Sequence, residues 1–408
     1  MRILLTGGTG FVGGELGKKL TQAGHEVIVL TRSAERARAK LSYPCHLVEW
    51  SSEEDKLPQE AVKGVEAVFN MAGEGIADGR WTSERKKSLR HSRVSLTHHL
   101  IHALKSCKTL KIFVSFSAVG IYGDRQDALL NEKSPVGKDF LAELCQEWER
   151  AAEDVLIDFE GVRLIIPRLG VVLGENQSFL DRLEPLFRSG LGGRLGAGEQ
   201  YVSWIHVADL VNFLMKTLKE ESLHGVYNLT APQPVTNREL TSQLAKAFHV
   251  NEGPTVPSFA LKMLYGEMSE VLLKGQRVHS QKLKQQDFLF PSLTEALGNL
   301  YGDLSPGEAR FRTSQWLPQN PQELQSFCVS EEENLKKLMP SFLKWQAHQT
   351  LNEVGSGTLI EEDVVYRFSL GSVGSHLGAA LTLKRLKKIF AARHRRNAKK
   401  FFAPSQSK

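Results

Sequence analysis

The stretch that most constrains the chain runs from Ile3 to Gly13. It is an apolar run, Ile3–Leu5, followed by Thr6, Gly7, Gly8, Thr9, Gly10, Phe11, Val12 and Gly13. A short unbroken apolar run suits a strand buried on both faces. Behind it, Glu15–Ala23 carries Leu16 and Leu20 on one helical face. Gly7, Gly10 and Gly13 fit GxxGxxG, and Gly8, Gly10 and Gly13 fit GxGxxG. A strand-to-helix turn needs glycines at this spacing for a positive φ, for close approach of phosphates to the backbone, and for tight seating of helix on strand. The helix then aims its free N–H groups and positive dipole end at the same point. Strand, turn and helix together predict a dinucleotide site.

Composition sets the outer bounds. A chain of 408 residues, 41% hydrophobic and 24% charged, reads as globular and as more than one domain. Cys45, Cys107, Cys145 and Cys328 lie far apart, without CxxC or metal-ligand spacing. They predict reduced thiols, no metal and a cytoplasmic protein. The first strand begins at residue 2, which predicts no signal or transit peptide. No apolar run reaches about 18 residues, so no transmembrane segment is expected. The net charge of +6 belongs to the tail: residues 384–408 hold ten Lys/Arg and no Asp/Glu, leaving 42 basic against 46 acidic residues elsewhere.

Further apolar runs read as strands: Glu26–Leu30, Leu47–Trp50, Val65–Met71, Leu110–Phe116 and Val162–Ile166. Helical stretches lie between them, most clearly Ser83–Leu104 and Phe140–Leu156. Alternating strand and helix behind a glycine-rich first turn predicts an α/β fold, a doubly wound parallel sheet of the Rossmann kind. Roughly 20 residues beyond the glycine turn, such a fold tests the adenosine ribose, usually with Asp or Glu when the cofactor is NAD. Here that position holds Thr31 and Arg32, with Arg36 and Arg38 following. A guanidinium attracts a 2′-phosphate, so the cofactor expected is NADP(H). Arg38 reads as solvated charge.

Three segments then carry a resemblance: Thr6–Gly13, Asn70–Glu74 (Asn70, Met71, Ala72, Gly73, Glu74) and Ser117–Gly123. They resemble the extended short-chain dehydrogenase/reductase superfamily. Ile76–Trp81, Ser92 and Arg93, Asp139–Glu149, Leu191–Gly196, Ser203–His206 and Val256–Leu283 narrow it to the atypical "epimerase family" branch, called nucleoside-diphosphate-sugar epimerase-like or cell-division-inhibitor-like. The resemblance covers about residues 1–300, with the branch's small closing module at about 250–300. It implies that the cofactor is held by Thr6–Gly13, Thr31, Arg32, Asn70–Gly73, Ser115, Phe116, Ser117 and Arg168.

The superfamily reaction needs Tyr-x-x-x-Lys, because i and i+4 share a helix face and the ammonium lowers the phenol's pKa. None of the seven tyrosines has Lys four residues on. In the helix that should carry the pair, Phe140 or Leu141 aligns with Tyr, and Leu144 or Cys145 with Lys. The residues left for acid–base work are Tyr122, Ser117 and His206, His206 being equally a helix cap. Glu74, Arg80, Trp81, Arg93, Cys145, Trp204 and His206 are read as lining a substrate pocket. The three arginines suit an anionic substrate or structural ion pairs, and Cys145 suits a buried apolar site better than a nucleophile.

A linker is expected at 301–308. Beyond it, strands are expected at Ala309–Trp316, from Phe342 and at Thr358–Phe368, and helices at Gln322–Met339 and His376–Phe402. Gly355–Gly374 with the final helix resembles the end of a START/Bet v 1-like (SRPBCC) domain. Only about 100 residues remain where that fold takes about 150, so a shortened remnant at 309–408, without ligand binding, is expected. Its basic helix reads as solvated charge, with weak contact to an anionic surface as the alternative and no specific nucleic-acid partner. The chain thus reads as an NADP(H)-binding oxidoreductase or epimerase-like enzyme of atypical mechanism on an unknown small polar substrate. The alternative is a non-catalytic NADP(H)-dependent sensor or regulatory interaction protein, which the family label ties to cell division.

Overall fold

The computed structural model describes residues 1–51, 56–175, 178–325, 327–329, 343–368 and 371–402. In chain order the strands that matter are β1 (Arg2–Thr6), β2 (Glu26–Thr31), β3 (His46–Glu49), β4 (Val65–Asn70), β5 (Ile112–Ser115), β6 (Ser117–Ala118), β7 (Arg163–Leu169) and β8 (Gly225–Leu229). They form one parallel sheet in the order β8-β7-β5-β4-β1-β2-β3, with β6 also on β7. The reversal of order between β1 and β4 opens a crevice at their carboxyl ends, where ligands bind in doubly wound sheets. Helices cover both faces: α1 (Phe11–Gln22), α2 (Ala34–Arg38), α3 (Ser83–Arg90), α4 (Leu96–Ala103), α5 (Phe140–Asp158), α6 (Leu180–Arg188) and α7 (Val207–Thr217) among them.

Alternation along each strand explains why the runs are apolar throughout. Ile3 and Leu5 join Val27, Val29 and Ile112 on one side of the sheet, while Leu4 joins Ile28, Leu30 and Phe113 on the other. Each such buried side chain is worth roughly 1.5–3 kcal/mol. The expected strands are present, with two differences. β7 runs on to Leu169, past the expected end at Ile166, so Arg168 lies inside the strand. The helix expected at Ser83–Leu104 is broken by a π-helical turn, His91–Ser95. There the Thr97 hydroxyl donates to the Arg93 carbonyl at 2.7 Å, the kind of side-chain bond that loosens a regular helical ladder.

Residues 256–301 add α8 (Ser258–Tyr265), the strand Arg277–Val278 paired with Leu129–Leu130, and α9 (Leu293–Tyr301). The linker is shorter than expected, because α9 ends at Tyr301 and β9 (Glu308–Leu317) starts at Glu308. With β10 (Leu343–Val354) and β11 (Gly357–Phe368), β9 makes an antiparallel sheet in the order β9-β11-β10. A long helix, α10 (Gly371–Phe401), packs Leu383, Leu386 and Phe390 on Ala309, Phe311, Val364 and Tyr366. Most of the helix expected at Gln322–Met339 lies outside the described residues. Gln315, Glu362, Arg393, His394 and Asn397 fill the space between sheet and helix, leaving a cavity of only about 10 Å³.

Candidate functional site

The glycine turn is built for close approach. Gly7 has φ +70°, and a Cβ there would stand 3.0 Å from the Met71 backbone. A Cβ on Gly13 would meet the Gly7 carbonyl oxygen at 2.3 Å, so only glycine lets α1 sit this close to β1. The Gly10 N–H donates to the Gly7 carbonyl at 2.9 Å. Gly10 caps α1 without any side-chain cap, and no acidic residue lies in the first turn. Unspent N–H groups and an uncancelled dipole suit an anion.

The turn's floor is a buried hydroxyl–amide network. Thr6 Oγ1 donates to Asn70 Oδ1 at 2.8 Å and accepts from the Met71 and Ala72 N–H groups. Asn70 Nδ2 donates to Thr97 Oγ1 at 2.8 Å and to Ser115 Oγ at 3.2 Å. The Phe116 N–H donates to the Asn70 carbonyl. This network fixes the carboxyl ends of β1, β4 and β5 beside one another. At the end of β2, Arg32 is exposed and without a hydrogen-bond or ion-pair partner among the described residues. These residues fit a dinucleotide carrying a 2′-phosphate.

A support that the sequence did not disclose lies under this turn. Tyr43, 1% exposed, donates its hydroxyl to the Gly8 carbonyl at 2.9 Å. Its ring lies on α1 so closely that a Cβ on Gly17 would stand 2.1 Å from Cζ. Nothing local betrays this, because Tyr43 follows in a loop 35 residues after Gly8.

Of the three residues named for acid–base work, Ser117 and Tyr122 are committed elsewhere, whereas His206 keeps Nε2 buried and without a hydrogen-bond partner among the described residues. Ser117 Oγ donates to Glu149 Oε1 at 2.6 Å, and Arg168 clamps both Glu149 oxygens at 2.8 Å. Arg168 Nη1 donates to the Tyr122 hydroxyl at 2.9 Å, which in turn donates to Asn228 Oδ1 at 2.7 Å. Tyr122 is 0% exposed. Burial pushes its pKa up despite the nearby Arg168 guanidinium. Burial opposes the charge on Arg168, but Glu149 more than offsets it and raises its pKa. Glu132 extends the network by accepting from the Asn228 and Gln281 N–H groups and the Ser280 hydroxyl. His206 caps α7, with Nδ1 accepting from the Ala208 N–H at 3.2 Å. Its ring lies 4.2 Å from that of Phe290, and burial lowers its pKa to about 4.

The expected pocket residues divide into two groups. Glu74, Arg93 and Gly73 meet: Arg93 Nη2 donates to the Glu74 carbonyl at 2.7 Å, and its guanidinium lies 5.4 Å from the Trp148 ring. Arg85 and Ser88 hold the Glu74 carboxylate. Arg80 reaches the Met263 and Leu264 carbonyls at the end of α8. Trp81 packs edge-on to Phe140 at 5.1 Å. Trp204 and Cys145, in contrast, are core. Trp204 is 0% exposed and donates to the Gln233 carbonyl. Cys145 sits among Val119, Ile121, Tyr122 and Val278, where burial first and Glu149 second push its thiol to about 12.

A cleft does open where the missing pair would stand. Trp81, Gly120, Phe140, Leu141, Glu270 and Lys274 line a space of about 60 Å³. Leu141, one of the two positions aligned with Tyr, would lie 3.6 Å from a Cβ on Gly120. Lys274 pairs with Glu270 at 2.9 Å, and that hydrogen bond holds its ammonium pKa above the usual value. Only the proximity of 266–276 to α5 reveals these two; their i,i+4 spacing reads as an ordinary surface pair. Among the described residues no cluster of His, Cys, Asp or Glu could hold a metal, and no helix is long and apolar enough to cross a membrane.

The family model described as "NAD dependent epimerase/dehydratase family" matches residues 3–230, and a domain of unknown function, DUF1731, matches 256–300. The chain is 38% identical to the Arabidopsis thaliana protein "Epimerase family protein SDR39U1 homolog, chloroplastic" over 296 residues, 71% of this chain and 83% of that protein. It is similar to the crystal structure of human epimerase family protein SDR39U1 (isoform 2) with NADPH: TM-score 0.65, 30% identity, 74% of this chain and 100% of that one. A likeness of fold alone, at 24% identity and TM-score 0.59, extends over 97% of this chain and 68% of the nucleoside-diphosphate sugar epimerase from Corynebacterium glutamicum. On a family match across more than half its length, joined to a Rossmann sheet and its glycine turn, the chain belongs to the NAD-dependent epimerase/dehydratase family.

Proposed function

We propose that this chain binds NADP(H) and serves as an oxidoreductase of atypical mechanism on a small substrate in the cleft beside Leu141. The observation that carries the cofactor reading is Arg32, a guanidinium at the end of β2 that is exposed and without a partner among the described residues, where NAD would call for a carboxylate. The human relative solved with NADPH supports it. When bound, NADPH supplies a hydride. The chain's own residues would hold the pyrophosphate on the N–H groups after Gly7, grip the 2′-phosphate with Arg32, and keep water from the reacting end with Trp81, Phe140 and Leu141. Lys274 is the protonated group on that cleft wall. The widely spaced cysteines, without a disulfide among the described residues, suit a reducing compartment such as the cytoplasm. The exposed bases of α10 suit weak contact with an anionic surface.

A second reading, an NADP(H)-dependent sensor without catalysis, draws on the locking of Tyr122 and Ser117 in buried bonds. One set of measurements separates the two. Fluorescence titration should show NADPH binding at least about tenfold tighter than NADH, the scale of one charge-assisted contact. Arg32→Asp should remove that preference and leave NADH binding in place. Equal affinities in the native chain would sink the cofactor reading. Tight NADPH binding with no oxidation above background across a panel of carbonyl substrates would favour the sensor.

A further inference from the structure

The carboxyl-terminal sheet and helix meet the Rossmann region on the far side of Tyr43. The Trp316 N–H donates to the Leu41 carbonyl at 3.3 Å, and Arg38 lies 5.8 Å from the Phe402 ring. The seam is not filled. Leu41, Tyr43, Cys45, Leu47, Trp316 and Phe402, with the exposed Arg38, line a half-open pocket of about 140 Å³. A volume of roughly 150 Å³ is enough to hold a benzene ring.

The wall chemistry restricts what fits. Trp316 Nε1 already donates to the Val354 carbonyl at 3.0 Å, and the Tyr43 hydroxyl to the Gly8 carbonyl. Burial keeps the Cys45 thiol neutral, at about 12. The polar group left unspent is the Arg38 guanidinium, exposed and without a carboxylate partner among the described residues. A ligand here needs one flat apolar ring and one anionic group directed to the rim.

We infer that this seam is a binding site for a small aromatic carboxylate, its ring held between Leu41, Tyr43, Leu47, Trp316 and Phe402 and its carboxylate on Arg38. The site is separate from the cleft at Leu141, and Tyr43 forms a wall of it while also bonding the glycine turn.

Calorimetry on the full chain without nucleotide tests this apart from the cofactor reading, with benzoate as probe and benzyl alcohol as its neutral counterpart. Benzoate should bind saturably, one per chain, and about tenfold more tightly than benzyl alcohol. Arg38→Gln should bring benzoate down to the benzyl alcohol level and leave benzyl alcohol unchanged. Cys45→Trp, which puts an indole into the pocket, should abolish both, with a thermal melt confirming that the variant folds. If Cys45→Trp does not fold, Cys45→Phe serves in its place. No saturable benzoate binding in the native chain, equal binding of the two probes, or benzoate binding that survives filling would each overturn the inference.

Discussion

Tyr122 makes two hydrogen bonds through one oxygen, donating to Asn228 and accepting from Arg168. Tyr122→Phe should therefore act on stability, at about 1–3 kcal/mol for the partners left short, and leave NADPH affinity unchanged. Urea unfolding beside an NADPH titration checks both halves, and a lost affinity with unchanged stability would contradict the assignment. His206 makes the pH prediction. In the folded chain it takes up a proton only near pH 4, against 6.5 for the ordinary ring. Between those values the unfolded chain binds more protons, so stability falls as pH is lowered from 6.5 toward 4. The whole effect is about 3 kcal/mol. His206→Asn keeps an acceptor for the α7 cap, and melting temperature against pH should fall less steeply across that window. His394, lowered to about 3 by burial and Arg393, continues the slope below it. At this scale the sequence disclosed what is local. Thr6 and the glycines announce themselves within a few residues, whereas the partners of Tyr122 include Asn228, 106 positions away. No spacing rule reaches that far, so a residue whose bonds are already spent looked available.

Among the elements, α1 depends most on what lies over it. Gly17 is buried in mid-helix, where alanine would ordinarily stabilise by about 1 kcal/mol. Here an added Cβ would stand 2.1 Å from the Tyr43 ring. Gly17→Ala should instead destabilise by about 1–3 kcal/mol. In the background of Tyr43→Leu the same change should become neutral or favourable. A double-mutant cycle by urea unfolding measures this, and additive effects would show that ring and glycine do not interact. The strands were legible because a strand buried on both faces is apolar at every position, as Ile3–Leu5 and Val27–Leu30 are. The π turn at His91–Ser95 was not. It coincides with a hydroxyl bond from Thr97 to the Arg93 carbonyl, and the apolar spacing of Ser83–Leu104 fits an unbroken helix equally well. The strand expected to end at Ile166 also runs further, because Pro167 continues β7 beside Tyr227 and carries Arg168 into it.

For the whole molecule, the Rossmann layer order follows from alternation of strand and helix, and the family matches agree with it. The seating of the last 100 or so residues against Leu41–Cys45 does not follow, because it rests on contacts such as Trp316 to Leu41 and Arg38 to Phe402 between stretches unrelated in sequence. The basic tail was visible from composition, and the fold turns it into geometry. Lys384, Arg385, Lys388, Arg395, Arg396, Lys399 and Lys400 are exposed along α10, while the remainder of the chain carries 42 bases against 46 acids. Positive charge is therefore concentrated on the exposed side of α10, and an ion-exchange resin reads the face presented to it rather than the sum. Replacing Lys384, Arg385, Lys388 and Arg395 by glutamine lowers the formal charge only from +6 to +2. Even so, the variant should leave a cation exchanger at pH 7 in far less salt than the native chain, and unchanged elution would mean that this face does not lead. Near a negatively charged boundary the native protein should arrive with its basic helix forward.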